Sequence, residues 1–281
     1  MRSEAELRAL VSLLGDEHEG VARAAWDALL TAGPAAVPFL EAAFDAPEHR
    51  LRGRVRSLLE ELRIAAVEER WVRFVSQEDD SLDLEQGCLL LAALGGSEGR
   101  ERKVASFLDA VAASVRAQVP LVGGLQAMGD VLFENLRFRG GDPWTLEHHL
   151  LPSVLERRRG IPIALAAVYI LVGRRAGLPV YGVAMPDHFL ALYEQADQPA
   201  YIDCYNRGRI YRHETLKQLL HRRGMFTVNQ ALAPCSTRLM LYRMLNNLER
   251  VYTKVGQERL AERVRRWREL LVVRGDGAPR G

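Results

Sequence analysis

Gly160-Ile161-Pro162-Ile163-Ala164-Leu165-Ala166-Ala167-Val168-Tyr169-Ile170 opens the stretch that decides the fold. The chain then passes through Gly177-Leu178-Pro179, Pro186-Asp187-His188-Phe189-Leu190 and Tyr201-Ile202-Asp203. Pro162 predicts a helix start, because its missing N–H is one that a first helical turn leaves unpaired anyway. The helix runs from Pro162 to Ala176, and Gly177-Leu178-Pro179 ends it. Val180–Met185, Phe189–Tyr193 and Ala200–Tyr205 are short, β-branched and aromatic, with turn residues between them. They predict an antiparallel set of strands. One apolar helix followed by a small antiparallel sheet is an α+β core.

The rest of the chain is mostly helical. Leu7, Leu10, Val11 and Leu14 share a helical face, and Val21, Ala24, Ala25, Ala28 and Leu29 form the next stripe, stopped at Gly33-Pro34. Val37-Pro38-Phe39-Leu40 opens a third helix, and Leu51, Val55, Leu58, Leu59 and Leu62 mark a fourth. Stripes at Leu84–Leu94, Val104–Val115 and Leu121–Leu136 continue the pattern, with breaks at Gly95-Gly96-Ser97 and Gln118-Val119-Pro120. Arg139-Gly140-Gly141-Asp142-Pro143 is a loop by its turn chemistry. Helices resume at Glu214, and Ser236–Lys254 with Glu258–Val273 predict a hairpin around Val255-Gly256-Gln257.

With 281 residues, 48% hydrophobic and 26% charged, the composition is that of an ordinary globular protein with length enough to bury cores. The net charge of +2 gives no reason to expect a nucleic-acid partner. Thirty-five of the 38 basic residues are arginine, the lysines being Lys103, Lys217 and Lys254. Such a skew points to a GC-rich genome. The longest strongly apolar stretch, Ile161–Gly173, is shorter than the roughly 20 residues that cross a bilayer, and no secretory signal follows Met1-Arg2-Ser3. No membrane association is therefore expected. Cys88, Cys204 and Cys235 are odd in number and have no CxxC spacing, which predicts free thiols in a reducing cytoplasm and no structural zinc.

No phosphate loop, GxGxxG or HExxH is present, so no cofactor or metal is expected. His148 and His149 are adjacent, so on a helix they point about 100° apart and cannot hold one ion together. The expectation is one packed and one solvated ring. Tyr205-Asn206-Arg207-Gly208-Arg209, with Arg212, Arg222 and Arg223, makes a local basic cluster. It reads either as a solvated loop and helix face or as a binding site for phosphate or an acidic partner. Tyr205, Asn206, Arg207 and Arg209 are its candidate binding residues. Nucleic-acid binding there would show a steep loss of affinity with salt.

A helix, then a strand opened by His188, then a strand carrying Asp203, is the chain order of the transglutaminase-like cysteine enzymes. The chain resembles the bacterial SirB branch of that superfamily in Val154-Leu155-Glu156-Arg157-Arg158-Arg159-Gly160-Ile161-Pro162-Ile163, Gly182-Val183-Ala184-Met185-Pro186-Asp187-His188-Phe189-Leu190 and Tyr201-Ile202-Asp203-Cys204-Tyr205-Asn206-Arg207-Gly208. Arg243-Met244-Leu245-Asn246-Asn247-Leu248-Glu249-Arg250-Val251-Tyr252 extends the likeness, which covers roughly residues 85–273. The resemblance implies a Cys nucleophile at the N-terminus of the helix, where the helix dipole lowers its pKa, with His188 as base and Asp203 fixing the tautomer.

The nucleophile position falls on Pro162. Proline carries no nucleophile, and losing the nucleophile of a triad costs about 10⁶ in rate in a well-studied protease. Acyl transfer by the superfamily mechanism is not expected, so Pro162, His188 and Asp203 are read as vestigial triad positions. Cys204, next to Asp203 on a strand, should face the opposite way and reads as an inert thiol. Cys88 and Cys235 are placed in helical segments outside the core.

The N-terminal helices resemble a HEAT repeat through the turn before Val21 and the Gly33-Pro34-Ala35-Ala36-Val37-Pro38 link. The final hairpin resembles the tetratricopeptide kind. The organisation expected is a HEAT-like segment at 1–65, a SirB-type transglutaminase-like domain at 66–230 and a tetratricopeptide-like hairpin at 231–275. These features together imply a catalytically silent protein or peptide scaffold. The competing reading is a hydrolase that uses the His188–Asp203 groove with a non-standard nucleophile.

Overall fold

The computed structural model describes residues 2–195, 198–222 and 228–272. Arg223 of the basic cluster and Val273, at the expected end of the last helix, lie outside the described residues.

The chain forms two compact units, Met1–Arg70 and Trp71–Gly281. In the first, α1 (Glu4–Leu13) begins with a capping box in which the Ser3 hydroxyl accepts from Glu6 N and the Glu6 carboxylate accepts from Ser3 N. Helix α2 (Glu19–Ala32) stops at Gly33, whose φ of 61° suits glycine. Pro38 occupies the first turn of α3 (Val37–Ala42), and α4 (His49–Val75) follows, running through residue 65 without a break. The apolar stripes meet in one cluster built on Leu7, Leu14, Leu29, Leu40, Val55 and Leu58. Arg54 ties the α1–α2 turn to this bundle, donating to the carbonyls of Leu14 at 2.7 Å and Asp16 at 3.1 Å.

The second unit holds the predicted core. Helix α5 (Leu84–Leu94) is capped by Asp83, whose carboxylate accepts from Gln86 N. Helix α6 (Glu101–Val122) runs through Pro120, where a break was expected. The carbonyl that Pro120 cannot bond belongs to Arg116, and both residues lie on the exposed side of the helix. Helix α7 (Gly124–Gly129) passes into a π-helical turn over Asp130–Asn135.

Next come β1 (Arg139–Gly140), α8 (Leu151–Arg157) and β2 (Arg159–Gly160). The parallel pairing of Gly140 with Gly160 anchors the start of α9 (Pro162–Arg175). Helix α9 is buried from Ile163 to Gly173, and a Cβ at Gly173 would meet Val180 at 2.6 Å, so the helix can lie directly on the sheet.

That sheet has four antiparallel strands, β3 (Val180–Val183), β4 (Leu190–Tyr193), β5 (Ala200–Asp203) and β6 (Arg209–Arg212), adjacent in chain order. Leu192 pairs with Tyr201, and Asp203 with Arg209. The first three strands are those predicted. The fourth falls where a basic loop was expected. Every residue of β4 and β5 is buried, because both faces of the sheet are covered. Leu190, Leu192 and Tyr201 pack with Leu216 and Leu220 of α10 (His213–Arg222) and Val228 of α11 (Val228–Ala231).

The predicted hairpin closes the fold as α12 (Thr237–Lys254) and α13 (Glu258–Val272). A Cβ at Gly87 would meet the Leu241 side chain at 2.7 Å, so α5 and α12 approach closely. Trp71 stacks on Trp267 with ring centres 4.7 Å apart and donates to the Trp267 carbonyl at 3.2 Å. The fold class is α+β, mostly helical around a small antiparallel sheet.

Candidate functional site

The start of α9 is held from three sides. Ile161 N donates to the His148 carbonyl at 3.0 Å, Gly141 N to the Gly160 carbonyl at 3.0 Å, and Gly140 N to the Tyr205 carbonyl at 2.8 Å. The last bond connects the segment after β5 with the turn before α9. Gly140 permits it, because a Cβ there would sit 2.7 Å from the Tyr205 ring. Pro162 is thereby fixed as the first residue of α9.

His188 sits between β3 and β4, after Asp187, whose φ of 54° gives the turn a left-handed residue. Arg243 of α12 braces this turn, donating Nη1 to the Met185 carbonyl at 2.7 Å and Nη2 to the His188 carbonyl at 3.3 Å. His188 Nε2 lies 3.0 Å from Asp203 Oδ1. The spacing is that of a hydrogen bond but the direction is not, for the nitrogen makes no well-aimed bond among the described residues. The sequence expectation of a hydrogen-bonded imidazole and carboxylate is thus met in distance and not in alignment. Tyr205 meets the imidazole edge-on, with ring centres 6.4 Å apart.

Asp203 is 3% exposed. Asn206 donates to it twice, from its backbone N–H to Oδ1 at 3.2 Å and from Nδ2 to Oδ2 at 2.7 Å. Burial alone would raise the carboxyl pKa. The His188 and Asn206 contacts outweigh it and hold the group below the ordinary carboxylate value. Asp203 is therefore a buried anion kept charged by its neighbours.

Pro162 and His188 line one cleft of about 490 Å³. Its walls include Trp144, His149 and Phe189, and its long side is a stripe of α12 made of Arg243, Asn246, Asn247 and Arg250. Those four positions, at i, i+3, i+4 and i+7, share one helix face. A second, open cavity of about 340 Å³ lies against His188 and Asp203 and is also lined by Tyr211, Leu216 and Leu219.

His148 and His149 are both buried, which corrects the expectation that one would be solvated. They sit at the end of a short 3-10 turn, where His148 Nδ1 donates to the Asp142 carbonyl and His149 Nε2 to the Pro143 carbonyl, both at 2.8 Å. Burial lowers the His149 pKa, and His148 lowers it further, against the opposing Pro143 bond and Asp142 charge.

The four candidate binding residues of the basic cluster do not converge. Tyr205 is half-buried against His188 and donates its hydroxyl to the Gly141 carbonyl at 3.3 Å, while Asn206 is exposed and donates to Asp203. Arg207 has a φ of 55° and is exposed, while the Arg209 guanidinium lies 5.0 Å from the Tyr211 ring centre on the edge strand.

All three cysteines are free. Cys88 is buried in the core of the second unit with its sulfur 3.8 Å from Met244 Sδ, and Cys235 precedes α12 and bonds its N–H to the Gly182 carbonyl of β3 at 2.8 Å. The expectation of a place outside the core therefore fails for Cys88, while Cys235 is only partly buried and lies just before a helix instead of within one. Burial pushes each of these thiols up to about 12, and drives Cys204, fully buried, up as well. None is a thiolate nucleophile at neutral pH. No cluster of three or more metal-ligating side chains occurs, and no helix is long and apolar enough to cross a membrane, among the described residues.

The α12 stripe was missed in the sequence. Arg243, Asn246, Asn247 and Arg250 enter there only within the segment that extends the family likeness, with no role given to any of them.

A family model described as the transglutaminase-like superfamily matches residues 102–246. A UPF0162 protein of Xylella fastidiosa is 29% identical over 199 residues, covering 66% of this chain and 71% of that protein. A UPF0162 protein of Pseudomonas aeruginosa is 34% identical over 156 residues, 54% of each chain. Human F-box only protein 21 is 30% identical over 134 residues, which cover 44% of this chain and 21% of that protein. No solved structure matches. The matched residues take in the start of α9, the His188 turn, Asp203 and the first half of α12, and on this ground the chain belongs to the transglutaminase-like superfamily.

Proposed function

We propose that this protein is a catalytically silent, SirB-type member of the superfamily that binds protein or peptide partners as a scaffold in the bacterial cytoplasm. One observation carries the reading. Pro162 stands at the first turn of α9, in the wall of the cleft that His188 also lines. The position that would present a nucleophile to the imidazole offers a closed ring. The three cysteines, all with raised pKa values, supply no substitute. Within this reading, residues 1–65 are a HEAT-like segment, 66–230 the transglutaminase-like domain and 231–275 a tetratricopeptide-like hairpin. Helical repeats of these kinds commonly present binding surfaces, an argument from fold class alone.

The His188–Asp203 pair favours a second reading. A buried carboxylate kept anionic 3.0 Å from an imidazole suits a general base acting on water, which would make the protein a hydrolase.

One experiment separates them. Purified protein is given a glutamine-containing protein with a fluorescent amine, and separately a panel of peptide amides, while a peptide array tests binding. The scaffold reading expects bound peptides and no cross-linking or hydrolysis. Turnover abolished by His188→Ala overturns it in favour of the hydrolase, and turnover abolished by Cys204→Ser overturns it in favour of a cysteine enzyme.

A further inference from the structure

We propose that the cleft beside Pro162 and His188 recognises an acidic peptide segment, read by the cationic stripe of α12. The proposal rests on the scaffold reading and adds the chemistry of its ligand.

The charge balance of the cleft is its first support. Two arginines line it, Arg243 and Arg250, against one carboxylate, Asp187. Arg243 spends two of its five donors on neutral carbonyls and forms no salt bridge within 4 Å among the described residues. Its burial lowers its pKa, which is the mark of a positive charge short of compensation. Arg250 is exposed and has no ion pair among the described residues. The nearest acid on the same helix, Glu249, faces α13, where Arg265 at 2.8 Å and Arg268 engage it. A third cation, Lys254, lies 5.7 Å from the ring centre of Trp144, the aromatic wall at the cleft rim. The cations therefore occur at i, i+7 and i+11 along one side of α12, with Arg243 and Arg250 about 10 Å apart along the axis at 1.5 Å per residue.

The second support is what lies between the cations. The Asn247 amide is half-buried and has no partner among the described residues, so it is free to donate to and accept from a peptide bond. Trp144 is 46% exposed and offers a flat apolar face beside it. A cleft of about 490 Å³ holds a short stretch of extended chain.

The test uses the full-length protein at physiological salt and the anisotropy of fluorescein-labelled peptides. Amidated hexaglutamate should bind at least tenfold tighter than amidated hexaglutamine. Arg250→Glu should weaken it tenfold or more, whereas Arg266→Glu, an exposed arginine on α13, should leave it unchanged. Hexaglutamate with a free C-terminus shows whether side-chain or terminal carboxylates are read. A gain of tenfold over the amide assigns Arg250 to the terminus, and equal affinity assigns it to side chains. Equal binding of hexaglutamate and hexaglutamine overturns the acidic specificity while leaving the scaffold reading standing. Equal losses in the two arginine variants, or tighter binding of hexauridylate than hexaglutamate, also overturn it. Acyl-transfer activity would end the scaffold reading and leave the acidic preference intact.

Discussion

Arg243 holds the backbone of His188 from another element, its Nη2 donating to the His188 carbonyl at 3.3 Å while Nη1 holds Met185 at 2.7 Å. The closing hairpin is therefore part of the site. It fixes the turn that carries the imidazole and, two turns further along, presents Arg250 to the same cleft.

Arg243→Met keeps much of the side-chain volume and removes both donors. Two carbonyls of the Met185–His188 turn lose their partner, at about 1–3 kcal/mol for each group that water cannot reach. The expected result is a lower denaturation midpoint and faster hydrogen exchange confined to the turn. Arg243→Lys should recover only part of this, because an ammonium lacks the fork that spans two carbonyls. An Arg243→Met variant as stable as the parent would show that the turn holds itself.

Asn206→Ala tests the buried anion. The side chain donates to Asp203 at 2.7 Å, and a hydrogen bond to a charged group contributes about 1.5–3 kcal/mol. Asp203 has a pKa below its unfolded value, so its contribution is complete above about pH 4 and is lost as pH falls through the lower folded value. Denaturant titration should show the full loss of stability at pH 7 and a shrinking difference from the parent in strong acid. A difference independent of pH would remove Asp203 from the explanation.

The parts of the fold that the sequence made legible are those where burial imposes a period. Helix α9 is apolar all round because it is covered all round, and β3 to β5 are recognisable by their β-branched and aromatic residues. Strand β6 was not, since Arg209-Ile210-Tyr211-Arg212 lies on the sheet edge with Ile210 half exposed, and an edge strand has little burial to reveal it. The break expected at Pro120 does not occur, and Pro120 lies with Arg116 on the exposed side of α6. Of the site, the resemblance in chain order nominates Pro162, His188 and Asp203. Arg243 and Asn247 fall in a segment that extends the likeness, but their place in a cleft was beyond reach, because a polar helix face looks the same whether it meets water or lines a cleft.

His149 should make stability fall on mild acidification. Its pKa is depressed in the fold, so the unfolded chain takes up a proton first, and stability is present above the ordinary imidazole value of about 6.5 and lost as pH falls through the folded value. Its charged neighbours are His148, which opposes protonation, and Asp142, which favours it. Thermal melts between pH 8 and pH 5 should show a declining midpoint. His149→Phe should begin lower, having lost the Pro143 bond, and decline less. Equal slopes in the two proteins would assign the effect to other groups.

Pro162→Cys asks whether a missing nucleophile is the only defect in the groove. The backbone at this position is already that of a first helical turn, with Ile161 before it at φ −73° and ψ 163°, so cysteine fits without strain. The new thiol would sit at a helix N-terminus, where the dipole favours the thiolate, and in the cleft that His188 lines. The native thiols provide the internal control, since Cys88, Cys204 and Cys235 all have raised pKa values and two of them are fully buried. Brief treatment of the folded variant with iodoacetamide at pH 6.5, followed by peptide mass spectrometry, should place the label at position 162 and leave the native cysteines unmodified until the protein is denatured. His188→Ala in the same background should slow the labelling about tenfold or more if the imidazole still assists the thiolate. Fast labelling that ignores His188 would mean a helix dipole acting alone, with the imidazole no longer facing the position. A thiol at 162 as slow as the buried Cys88 and Cys204 would mean that the groove has closed around the proline, and that restoring the sulfur cannot restore the chemistry.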